Sequence, residues 1–169
     1  MKITFLIIFL SLSNLVFGQD IFQAVRENNI ATLEAYKQKG GDLNVKNSRG
    51  YNLLTLAVYN NQPETAKWLI QNKISLDIQD DAGNTALMGA CFKGNSDMVK
   101  LLLEKGANPN VLNKNQANAL FFAATFGHEE IVKLLLTHKT NKSQKDQFGK
   151  TPLDYAINQG NESIIKLLQ

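Results

Sequence analysis

The residues able to do chemistry are few and badly placed for it. His128 and His138 are the two histidines. They stand ten residues apart at opposite ends of what reads as one helix, which rises about 1.5 Å per residue, so they cannot share a metal ion. Glu129 and Glu130 are adjacent and therefore point to different sides of that helix, which argues against a paired acid–base role. Cys91 is the single cysteine and cannot close an internal disulfide. No G-x-S-x-G, P-loop, H-E-x-x-H or C-x-x-C pattern occurs. These residues predict no catalytic site, no cofactor and no metal. Lys139, Lys142, Lys145 and Lys150, opposed only by Asp146, read as a solvated loop rather than a polyanion site. Asn141 and Asn161 open N-x-S sequons, which matter only in a secreting eukaryote.

The elements that would carry these residues say more. The chain has 169 residues, 44% of them hydrophobic, enough for one domain with a core. Its net charge is +3, too weak a bias to indicate nucleic acid. The opening stretch "MKITFLIIFLSLSNLVFG" has one lysine and an apolar run from Ile3 to Leu12. Val16 and Gly18 are small enough for a cleavage site, so residues 1–18 are expected to be a signal peptide with Gln19 first in the mature chain. The run is shorter than the ~20 apolar residues of a spanning helix. An uncleaved anchor is the alternative. The expected location is therefore outside the cytoplasm, periplasmic in a bacterium and otherwise secreted, with no membrane contact after cleavage.

One phrase is written three times, as "GNSDMVKLLL" (94–103), "GHEEIVKLLL" (127–136) and "GNESIIKLLQ" (160–169). A shift of 33 residues aligns the whole chain without gaps. Gly50, Gly83, Gln116 and Gly149 fall in one column, and Asn61, Gly94, Gly127 and Gly160 in another. Leu54, Leu87, Leu120 and Leu153 form a third, Ala57, Ala90, Ala123 and Ala156 a fourth, and Lys67, Lys100, Lys133 and Lys166 a fifth. Ile21 and Ala24 extend the leucine and alanine columns backwards. Cys91 aligns with Val58, Ala124 and Ile157, so it reads as a small buried hydrophobe rather than a redox thiol. A fixed period of this size signals a solenoid, whose units must stack because none can bury its apolar face alone.

Each unit reads as two short helices and a turn. In "NALFFAATFG", Asn118 caps a first helix and Gly127 stops it. "HEEIVKLLLTH" is the second helix, with Ile131, Leu134 and Leu135 as its apolar stripe. Pro63 and Pro152 suit first helical positions. Phe121, Phe122 and Trp68 read as core.

These residues resemble the ankyrin-repeat family. "DDAGNTALMGACFKGNSDMVKLLLEKGANPN" (80–110) is the closest copy, and "DQFGKTPLDYAINQGNESIIKLLQ" (146–169) carries the family's T-P-L. The resemblance implies an all-α repeat solenoid over residues 19–169, with one degenerate N-terminal unit and four clearer units joined by β-turn loops. The family's histidine after T-P-L is replaced by Thr55, Met88, Phe121 and Asp154, so its Thr–His hydrogen bond is expected to be missing. "THKTNKSQKDQ" (137–147) loses the family's turn and is expected to be a mobile loop.

The resemblance also implies a binding surface, because the family binds proteins through its turn tips and first helices. Carried over by position, that surface includes Arg49, Tyr51 and Tyr59, then Asp81, Asn84, Phe92 and Lys93, then Ala117, Thr125 and Phe126, and finally Phe148 and Lys150. Five of the twenty transferred positions are aromatic, against about two expected from the chain's 8% aromatic content, and aromatics are favoured at hot spots. The alternative is that some fold inward over the core. The expectation is a monomeric, non-enzymatic module that binds a protein partner, as an inhibitor, immunity or stress-support protein. Tyr51, Tyr59, Phe92, Phe126 and Phe148 would be its anchors, with Arg49 and Lys93 choosing an acidic rim. A membrane-anchored adaptor and a small enzyme on a repeat scaffold are the other readings.

Overall fold

The computed structural model describes residues 21–169. The expected signal peptide lies outside the described residues. Ten helical segments follow in pairs: α1 (21–26) and α2 (Ile30–Gln38), α3 (Leu53–Tyr59) and α4 (Pro63–Gln71), α5 (Ala86–Lys93) and α6 (Ser96–Glu104), α7 (Ala119–Thr125) and α8 (Glu129–Thr137), α9 (Pro152–Asn158) and α10 (Glu162–Leu168). Odd-numbered helices form one layer and even-numbered helices the other. Along the odd layer α3 packs on α5, α5 on α7 and α7 on α9, while each also packs on its own partner. The described residues contain no strand, only an isolated bridge between Lys46 and Asn52.

The columns explain why the chain folds this way. Asn52, Thr85, Asn118 and Thr151 lie one period apart, and the side-chain oxygen of each accepts a backbone N–H in the first turn of the helix it caps. The odd helices end where Asn28, Asn61, Gly94, Gly127 and Gly160 turn with φ between +53° and +76°, a conformation open mainly to glycine and asparagine. Between cap and stop, Leu54, Leu87 and Leu120 are wholly buried, and so are Ala57, Ala90, Ala123 and Ala156. The alanines let successive odd helices approach, and the leucines fill the joint. Burying one such leucine contributes roughly 1.5–3 kcal/mol, realised only when the next unit is in place. Cys91 is buried in this layer, and burial pushes its thiol pKa far up, as the packing reading requires.

Two columns of Asn and Asp hold the tips, one closing each turn on itself and the other tying it to the next unit. At the tips, Asn47, Asp80, Asn113 and Asp146 form a further column. Each Oδ1 accepts the amides two and four residues on, at 2.8–3.1 Å. On the other side of the tips, Asn44, Asp77 and Asn110 accept the amides of Ser75, Asn108 and Asn141 in the next unit, at 3.0, 3.0 and 2.7 Å.

Several expectations need correction. Residues 137–147 are tied down rather than loose. Thr140 is buried with its hydroxyl on the Leu135 carbonyl at 2.7 Å, and Asn141 bonds to Asn110 and accepts from the Asn118 side chain. The lost turn is replaced by these bonds. In the last unit Asp154 takes over from the missing histidine. Its Oδ2 accepts from both the amide and the hydroxyl of Thr151 at 2.7 Å, completing a capping box. Trp68 packs against the core but is only half-buried, because α4 turns one edge outward.

Candidate functional site

The transferred surface splits into two parts. In the N-terminal part, Tyr51 and Tyr59 are half-buried and their rings pack together, centroids 5.3 Å apart. The Tyr59 ring lies over Gly89 of α5, where even a Cβ would come within 3.3 Å of it. Burial, with neighbouring Tyr51 and Asp80, pushes its phenol up to about 12. Both rings are turned inward, Tyr51 against the core and Tyr59 over α5. Asn84 is half-buried, with its Oδ1 accepting from the Asn113 side chain at 2.9 Å. Arg49 is exposed on its tip, and Asp81 lies against Gly50 of the preceding tip.

In the C-terminal part the aromatics stay out. Phe92 is 43% exposed, Phe126 49% and Phe148 72%. Phe126 meets Phe92 edge-on at 4.8 Å and lies over the ring of His128 at 6.5 Å. Between α7, α9 and the tips that precede them opens a hollow of about 180 Å³. Its lining is Phe121, Phe122 and Thr125 from α7, Phe126 just past its end, Tyr155 from α9, Ala117 and Phe148 from the tips, and Asn113, Asn115 and Asp146. Phe121 is buried as expected and meets Tyr155 edge-on at 5.7 Å. Phe122 is half-buried and packs against the core as expected, and its outer edge also lines the hollow. Ala117 is a correction, being buried at the floor rather than on the surface.

The electrostatics of the hollow follow from how its one carboxylate is held. Burial alone would raise the Asp146 carboxyl. Hydrogen bonds from the Tyr155 hydroxyl (2.5 Å) and the Lys150 and Phe148 amides outweigh that and hold it below the ordinary carboxylate range. The same bond raises the Tyr155 phenol. The Lys150 ammonium stands over the Tyr155 ring, 5.9 Å from its centroid. Lys93 is exposed beside Phe92. Tyr155 and Asp146 escaped the positional transfer. The signal for Asp146 was present, since Asn47, Asp80, Asn113 and Asp146 share a column at the same period.

The chemical groups elsewhere do structural work. His128 is the N-cap residue of α8, with Nε2 at 3.4 Å from the Phe92 carbonyl, and His138 ends the same helix with Nδ1 at 2.9 Å from the Leu134 carbonyl. Glu129 forms an exposed ion pair with Lys133. Among the described residues no three His, Cys, Asp or Glu side chains converge on a point that would hold a metal ion. No described helix is long and apolar enough to cross a membrane.

Paired helices stacked at a constant period, with tip turns along one edge and a hollow facing the tips and odd helices, define a helical repeat solenoid built for contact with another macromolecule. The family model for ankyrin repeats (3 copies) matches residues 21–113 and 105–169, and the chain belongs to the ankyrin-repeat family. Ankyrin repeats are protein–protein interaction modules, generally without enzymatic activity. A comparison with curated proteins finds no match to this chain.

Proposed function

We propose that this protein is an exported, non-enzymatic binding module that grips a protein partner through its tip-facing surface, centred on the hollow between α7 and α9. The observation that carries this reading is the cluster of Phe92, Phe126 and Phe148, three large apolar side chains 43–72% exposed around a preformed hollow. Wetted aromatics are costly, and interfaces draw their hot spots from such residues. Inhibition, immunity and support of an exported enzyme are the forms of activity such a grip serves.

The test is capture from the exported fraction of the source organism, with the Phe126→Ala/Phe148→Ala double variant as control. A protein retained by the wild type and lost by the variant supports the reading. Equal retention by both removes the aromatic cluster as the contact. Sequencing the N-terminus of the native protein tests export. A first residue of Gln19 supports it, and an intact Met1 supports an anchored adaptor instead.

A further inference from the structure

We infer that the solenoid carries a parting line: its first two units, α1–α4, open from the stack as one block while α5–α10 stay folded. This stands apart from the binding reading, because it is a property of the free chain. In a stack held together by neighbours alone, opening starts at the weakest joint. Three observations place that joint between α3–α4 and α5–α6. The first is a buried donor. Asn52 and Asn118 belong to one column, and each caps its helix. The Asn118 Nδ2 crosses to the Asn141 carbonyl on the following tip at 3.0 Å. The Asn52 Nδ2 finds no acceptor among the described residues, although Asn52 is only 1% exposed. Its Oδ1 already accepts the Thr55 amide at 2.7 Å, so turning the side-chain amide over would only exchange one orphan for another. A buried donor without a partner weakens the joint that its column mate strengthens.

The second observation lies at the tips. The Lys114 amide donates to the Ala82 carbonyl at 3.1 Å and the Gln147 amide to the Asn115 carbonyl at 2.9 Å, so each tip is bonded to the one before it. The same bond one unit earlier, from the Asp81 amide to the Arg49 carbonyl, is not formed, although Asp81 lies against Gly50. The third lies in the even layer. There α6 packs on α8 and α8 on α10, whereas α4 has no comparable packing on α6. What crosses this joint is the α3–α5 contact and a few exposed polar links: Asn44 to the Ser75 amide, the Lys46 ammonium to the Gln79 carbonyl at 2.7 Å, and Asn95 to Asn61 at 3.2 Å. The joint before it is better tied on the helical side. The Gln62 side chain donates to the Arg26 carbonyl at 2.6 Å, Asn28 Oδ1 accepts the Thr65 amide and hydroxyl at 3.2 and 2.7 Å, and the Lys37 ammonium reaches Asn72. The first two units are thus held to each other and part together. The three left behind are enough to sustain a stack, and two are not.

The experiment combines native-state hydrogen exchange with denaturant unfolding of the full chain. Trp68, the one tryptophan, sits on α4, so its fluorescence reports the opening block, while circular dichroism reports all the helices. The expected result is a Trp68 transition at lower denaturant than the main loss of helix. Amides of α3 and α4 should exchange about tenfold faster or more than those of α5–α8. Asn52→Thr copies Thr85 and Thr151, keeping a capping oxygen and deleting the orphan donor. It should slow exchange in α3 and α4, leave α5–α8 unchanged and bring the two transitions together. Asn118→Thr deletes a donor that has its acceptor and should speed exchange in α9 and α10 instead. Coincident transitions with uniform exchange from α3 to α8 overturn the proposal. So does opening of α9–α10 with α3–α4 as protected as α5–α8. Asn52→Thr without effect, or Asn118→Thr slowing exchange in α9 and α10, overturns the assignment of the weakness to this joint. Wild-type helix content of both variants without denaturant keeps these outcomes from reflecting misfolding.

Discussion

The α3–α5 joint and the α5–α7 joint share one backbone plan and treat their aromatics in opposite ways. Tyr59 lies down over Gly89 and becomes half-buried cover. Phe92, in the same column as Tyr59, remains exposed. The residue that stands to Phe92 as Gly89 stands to Tyr59 is Phe122, and one unit further it is Tyr155. A glycine leaves a berth for the preceding ring, and a phenylalanine fills it. The size of one side chain per unit thus decides whether an aromatic on this face serves the core or faces a partner.

The first way to test that comparison is to damage what both joints share. Leu120→Ala, in the wholly buried column, is expected to cost about 2–5 kcal/mol in denaturant unfolding. A cost near zero would contradict the stacking. Next is the berth itself. Gly89→Phe should destabilise by about 1–3 kcal/mol through overpacking and drive Tyr59 outward. The reverse change, Phe122→Gly, should draw Phe92 inward, measured as its loss of exposure in a structure of the variant.

Smaller effects separate the two ends of the stack by pH. Asp146→Asn removes the charge that three donors favour and should cost on the order of 1 kcal/mol at neutral pH. Its folded carboxyl lies below the ordinary 3.8, so the stabilisation is present above that value and disappears as pH falls through the folded one. Wild type and variant should converge in acid. Tyr59 acts at the other extreme. Its folded phenol, raised from 10.0 to about 12, favours the neutral form, so stability is intact below pH 10.0 and declines as pH rises towards 12. After discounting for partial exposure the loss is on the order of 1 kcal/mol or less, and Tyr59→Phe should abolish it.

The stack was legible in the sequence because its cause is repetition. The leucine, alanine and left-handed columns are each set by a local requirement repeated every 33 residues. The site was legible only in outline. Positional transfer put Phe92, Phe126, Phe148 and Lys150 at positions that are exposed, while Tyr51 and Tyr59, transferred with them, are half-buried, and Phe122, read as core, also lines the hollow. Whether a ring turns in or out depends on a residue about 30 positions away in the next unit, and no single-column reading contains that information. Asp154 shows the same limit, since a carboxylate in a histidine's place looked like a loss and proved to be a substitute cap.

The ladder of Asn44, Asp77 and Asn110 has a consequence for heredity. Each rung joins a side chain to an amide 31 residues on. Excision of residues 80–112 would bring the Asn141 amide to the same separation from Asp77 that Asn108 now has. A lineage carrying this fold can therefore gain or shed whole units by gene duplication or deletion without re-inventing a joint. Because neighbours alone stabilise one another, such a step changes the length of the molecule's reach and leaves its architecture intact.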